Sequence, residues 1–129
     1  MRSACAARYL LAIYELSDGG AAVRSVDIAR RLQVSRASVV KSLKLLAEAG
    51  MIQKEYYGNV QLTALGVRES NRIYTENTLL CAFFRDYLHI SGEAAERDAA
   101  ACLCALTREG KERMIELALR CRHARAGRE

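Results

Sequence analysis

At 129 residues, 51% of them apolar, the chain is long enough to bury a hydrophobic core and needs no disulfide framework. No apolar run approaches the roughly 18 residues of a membrane span and no hydrophobic leader opens the chain, so a cytoplasmic protein with five reduced cysteines is expected. The net charge of +5 sits mainly in the first half, where residues 1–63 carry nine Lys/Arg against five Asp/Glu, while residues 64–129 carry eleven against ten; this suggests a polyanionic partner, with a merely solvated basic surface as the alternative.

Abundant Ala, Leu, Arg and Glu, with no proline, predict a mostly α fold with one short β element. From Ala4 to Leu16, Tyr9, Leu10, Ile13, Tyr14 and Leu16 recur at three- and four-residue intervals, the pattern of an amphipathic helix that "SDGG" ends. Ser25 is then read as the cap of a short helix, "VDIARRL", whose Asp27 suits the positive end of the helix dipole. After the turn "QVS", Ser35 caps "RASVVKSLKLLAEAG", in which Val39, Leu43 and Leu46 repeat at helical spacing and Gly50 stands at the end.

Two helices joined by so short a turn form a helix-turn-helix. The exposed face of its second helix is expected to carry Arg36, Ser38, Lys41, Ser42 and Lys44, residue types that reach phosphates and base edges in a major groove, and the capping Ser35 is expected to join them at the DNA. In "MIQKEYYGNVQLT", alternation from Ile52 and the turn pair Gly58-Asn59 predict a hairpin, the wing, with Lys54, Tyr57 and Asn59 available to DNA. Thr63 can cap a long helix from Ala64 towards Leu88, possible bend points lying at Thr75 to Thr78. An alanine-rich helix over Glu93 to Leu106 and a last helix capped by Thr107 and running to Arg120 complete the pattern. The domains are therefore expected at 1–63, a winged helix-turn-helix, and at 64–120, a helical domain, with a charged tail at 121–129 that frays.

"YLLAIYEL", "VRSVDIARRLQVSRASVVKSLKLLAEAGMIQKEYYGNVQLTALG" and "LLCAFF" together resemble the iron- and manganese-dependent repressor family, of the diphtheria toxin repressor and manganese transport regulator type. The likeness is strongest from Tyr9 to Gly66, through Tyr9, Ile13, Tyr14 and Leu16, Asp27-Ile28-Ala29, Ser38-Val39, Gly50 and Leu62-Thr63-x-x-Gly66. It implies a homodimer with N-terminal winged helices and C-terminal helices that dimerise and hold transition-metal ions, in the shorter, manganese-type form. It departs at Arg36 and Val40, where the family commonly has a proline and a threonine, which implies a different operator.

At the positions where the resemblance places metal ligands, the chain has Arg8, Leu11, Asn77, Ala100, Leu103 and Cys104, with Cys81 at a further carboxylate position. Mn²⁺ and Fe²⁺ prefer carboxylate, imidazole and water, so neither is expected at these side chains. Arg8 is either a permanent cation imitating part of the metal's charge or a solvated residue at a decayed site.

Cys102 and Cys104, two apart on a helix, project about 200° from each other and cannot share an ion. Cys81 and Cys104 could pair under oxidation or hold a soft ion such as Zn²⁺. Buried cysteine more often behaves as a small apolar residue, which puts core packing ahead of thiol switching, and switching ahead of soft-metal binding.

The function expected is that of a homodimeric, sequence-specific DNA-binding transcriptional regulator, a repressor by resemblance, that is metal-independent or senses another signal. Its partners are double-stranded DNA and a second copy, with no membrane. Dimerisation is expected through Phe83, Phe84, Leu103, Leu106, Ile115 and Leu119, which exceed what isolated helices could cover. The alternatives are a thiol-redox or soft-metal sensor using Cys81 and Cys104, and a winged helix serving as a protein-interaction module. An enzyme is not expected, for no nucleophile-base spacing or phosphate loop is present.

Overall fold

A computed structural model describes residues 5–55 and 58–127. The chain divides into two compact units, Met1–Arg72 and Ile73–Glu129. The division falls inside a helix, past the boundary expected at Thr63.

In the first unit, α1 (Ala6–Ser17) buries Tyr9, Leu10, Ala12 and Ile13, the apolar stripe that the sequence displays. It ends where Asp18, Gly19 and Gly20 all take positive φ, which glycine adopts at little cost. A strand absent from the sequence reading, β1 (Val23–Arg24), leads directly into α2 (Ser25–Leu32). Ser25 makes no capping bond; its hydroxyl donates to the Gly58 carbonyl at 2.8 Å and so ties α2 to the wing turn.

The helix α2 closes on Gln33 in the left-handed region at φ 55°, with the Val34 amide donating back to the Ala29 carbonyl. Ser35 caps α3 (Arg36–Glu48), its hydroxyl oxygen accepting from the Ser38 amide at 3.1 Å. At the other end Gly50 adopts φ 76°, while the Gly50 amide reaches the Ala47 carbonyl and the Met51 amide reaches that of Leu46, both at 3.0 Å. This paired closure satisfies carbonyls the helix would otherwise leave open.

Strands β2 (Ile52–Lys54) and β3 (Asn59–Leu62) form the hairpin, and β1 pairs on the other side of β3, giving an antiparallel sheet in the order β1-β3-β2. Val23 lies opposite Val60, and Ile52 opposite Leu62, so Val23, Ile52 and Val60 are buried from the sheet side. Ile28, Leu32, Val39, Leu43 and Leu46 are buried from the helices.

Thr63 opens α4 (Ala64–Ala82) with three bonds: its amide donates to the Met51 carbonyl, its hydroxyl donates to that of Gly50, and its oxygen accepts from the Gly66 amide.

The second unit holds the rest of α4, a π-helical segment Phe83–Tyr87, α5 (Gly92–Ala105) and α6 (Arg108–Ala126). The departure from α geometry lies at Phe83, not at Thr75 to Thr78: the Leu88 amide donates five residues back, to the Phe83 carbonyl at 3.2 Å. Thr107 caps α6 by accepting from the Gly110 amide. That helix continues six residues beyond Arg120, so residues 121–126 are helical rather than frayed; Arg, Ala and His sustain a helix without an apolar stripe. Leu80, Cys81, Phe83, Phe84, Ala95, Ala99 and Ala118 form the core of this unit. Among the described residues, no helix is long and apolar enough to cross a membrane.

Candidate nucleic-acid interface

The cap at Ser35 and the closure at Gly50 bound a helix with one buried row and two exposed rows. Val39, Ser42, Leu43 and Leu46 face inward. Arg36, Val40 and Lys44, each four residues apart, form one outer row, and Ala37, Lys41 and Leu45 form the next. Arg36, Lys41 and Lys44 thus share an exposed face as expected.

Ser42 does not belong to that face; only 6% exposed, it lies on the buried side, because position 42 falls three after Val39 and four before Leu46. Ser38 is half-buried and bonded to the cap, with the Ser35 hydroxyl donating to its oxygen at 2.9 Å. Ser35 and Ser38 therefore fix the start of α3.

On the wing, Lys54 is exposed and Asn59 half-buried, their strands closed by the Glu55 amide donating to the Asn59 carbonyl at 2.6 Å. Tyr57 lies outside the described residues. Between α3 and the wing turn runs an open cleft of about 380 Å³ bordered by Arg24, Val26, Arg36, Val40 and Asn59. Arg24 was not legible as part of this surface, since it lies on a two-residue strand too short to show alternation. Its guanidinium pairs with Asp27 at 2.9 Å and remains 65% exposed.

Residues 2–60 match the model of the iron dependent repressor, N-terminal DNA binding domain. Over these residues the winged unit of this chain is similar to that family's DNA-binding domain. The iron dependent repressor kinship extends to the transcriptional regulator MntR of Escherichia coli O6:H1 (strain CFT073), 43% identical over 82 residues that take in 59% of this chain and 48% of that protein. The chain spans about half the length of the curated relatives it matches. Among solved structures, T. acidophilum IdeR is similar with a TM-score of 0.72 and 29% identity, covering 90% of this chain and 55% of that one. The manganese regulator SloR shares the fold, with a TM-score of 0.73 at 22% identity over 88% of this chain and 53% of its own. Two of these proteins, MntR and SloR, are named as regulators.

The family's manganese or iron can be tested against the side chains at the implied positions. Arg8 and Leu11 lie on α1, Asn77 on α4, Ala100 and Leu103 on α5. Asn77 alone of these five offers an oxygen donor, and the two further implied positions, Cys81 and Cys104, add only soft sulfur, a donor set that does not suit a hard divalent cation. The Arg8 guanidinium instead donates to the Leu32 carbonyl at 3.1 Å, at the negative end of α2.

Three carboxylates elsewhere, Glu15, Glu76 and Asp86, are engaged by cations. Glu15 pairs with Arg31, Glu76 with Lys111 at 3.3 Å, and Asp86 with Arg85 and Arg125. Among the described residues, no group of three or more His, Cys, Asp or Glu gathers as a metal site would require.

Cys81 is buried on α4, its thiol 4.0 Å from the Asn77 side-chain oxygen, and Cys104 is half-buried on α5. Burial, reinforced by Glu96 and opposed by Arg85, pushes the Cys81 thiol up. Burial and Asp98 do the same to Cys102.

Phe83 and Phe84 are covered within the chain, each 7% exposed, with ring centroids 5.7 Å apart. They need no partner subunit, which corrects the expectation that they lie on a dimer surface; the π-helical turn directs both into the core. Leu103 and Ile115 are half-buried against that core, whereas Leu106 and Leu119 are exposed.

Proposed function

We propose that this chain is a homodimeric, sequence-specific DNA-binding repressor that acts in the cytoplasm and reaches its DNA-binding state without manganese or iron. The observation that carries the reading is the exposed face of α3, where Arg36, Lys41 and Lys44 project opposite the buried Val39, Leu43 and Leu46. A helix so mounted presents donors to base edges and phosphates of a major groove, with Lys54 and Asn59 on the wing beside it. Kinship with the iron dependent repressor DNA-binding domain and with a transcriptional regulator supports the same reading.

Metal independence is supported by the chemistry at the implied ligand positions. Arg8 carries a charge that neither chelators nor pH near neutrality remove, and it holds the carbonyl end of α2, the helix preceding α3. Arg8 is exposed, and the bond to the Leu32 carbonyl is the contact through which its charge would act on α2. Self-association is assigned to the second unit, through Leu106 and Leu119 with the partly covered Leu103 and Ile115.

The test is a fluorescence-anisotropy titration of labelled upstream DNA at several salt concentrations, comparing the full chain with Arg36→Ala/Lys41→Ala. Loss of roughly 10- to 100-fold in affinity with a shallower salt dependence is expected. Unchanged affinity and salt slope would assign the winged helix to another partner.

A further inference from the structure

Val40 interrupts the cationic face of α3. It is 61% exposed, lies between Arg36 and Lys44 on one helical row, and borders the cleft towards Asn59. The buried side of the helix does not require it, because Val39, Leu43 and Leu46 supply that contact. Helix propensity does not favour it either, since a β-branched residue is a poorer helix former than the Lys or Arg around it. An apolar side chain held in water among Arg36, Lys41 and Lys44 suits a partner that is anionic overall and apolar at one point. On the major-groove edges of DNA, the apolar group is the 5-methyl of thymine; the other features are hydrogen-bond donors and acceptors.

We infer that Val40 is a specificity-determining residue that packs against a thymine methyl, while Arg36, one turn earlier, donates to a neighbouring base. The inference rests on the DNA reading proposed above and adds the base that each half-site must contain. The Val40 isopropyl group excludes water from the methyl and offers nothing to the polar edge of cytosine or to the guanine acceptors, so discrimination comes from apolar contact and from unmet polar groups at the wrong base.

The experiment begins by selecting duplexes from a randomised pool with the full chain in reductant. Each thymine of the selected site is then replaced singly by deoxyuridine, which keeps the base pair and removes only the methyl. Roughly a 3- to 10-fold loss is expected at one thymine per half-site, the scale of one buried methyl or somewhat more. Val40→Ala should bind the thymine and uracil sites equally, and Val40→Thr, which retains one methyl, should keep part of the difference. Because Val40 is exposed, both variants should show the circular dichroism and Tm of the parent.

A selected site at which no uracil substitution weakens binding overturns the inference. So does a Val40→Ala protein that keeps the full uracil penalty, since another side chain would then read the methyl. A pool that yields no preferred sequence overturns the DNA reading itself, and Val40 with it.

Discussion

Cys81 illustrates how a side chain in a functionally suggestive position can be claimed by packing. It stands on α4 among Leu80, Phe83, Phe84, Ala95 and Ala99, and burial holds its thiol in the protonated form. The unfolded chain gives up that proton near the ordinary value of 9.0, and the folded chain only above it. This contribution to stability is therefore complete below pH 9.0 and declines as pH rises through and beyond it. Urea unfolding of the parent and of Cys81→Ala at pH 7 and pH 10 should show the parent losing more stability than the variant over that interval; parallel losses would refute the assignment. Other single positions were differently legible. The charge of Lys41 and Lys44 marks them as outward-facing, whereas Ser42 has the polarity of a surface residue and the helical phase of a buried one. Arg8 could be recognised as a cation in a ligand's place, but its acceptor, a backbone carbonyl 24 residues away, leaves no trace in side-chain identity.

The start of α4 shows why a spacing recognised in sequence can have a steric cause. In Leu62-Thr63-x-x-Gly66, Thr63 bonds to three backbone groups, and Gly66 lies so close to Met51 that a Cβ there would stand 1.9 Å from the Met51 carbonyl oxygen. Gly66→Ala must displace backbone and should cost about 1–3 kcal/mol or more, read as a lowered Tm. Gly92→Ala, where the added methyl meets nothing within 4 Å, is the control and should be neutral or slightly stabilising. Unchanged stability in Gly66→Ala would contradict this packing. The helices and the hairpin were legible from apolar period, caps and turn residues. Strand β1 was not, because two residues cannot display alternation and their pairing with β3 is long-range. The π-helical turn at Phe83–Tyr87 has no glycine or proline to announce it, and the last six residues of α6 carry no apolar stripe.

At the scale of the whole molecule, the proposed function divides between the two units, DNA reading in the first and self-association in the second. Exposed Leu106 and Leu119 lie on the second unit, and sedimentation at micromolar concentration should give a dimer that Leu106→Glu/Leu119→Glu shifts towards monomer. A parent that sediments as a monomer would remove the dimer from the account. The central claim is that this winged helix reads DNA with no manganese or iron, its Arg8 standing where the family resemblance implies a metal ligand. The most direct test is a titration of the full chain against its own upstream DNA at fixed salt, in reductant, once with chelator and once with Mn²⁺. The account predicts equal, sequence-specific affinity in the two conditions, and binding that appears only with Mn²⁺ would contradict it.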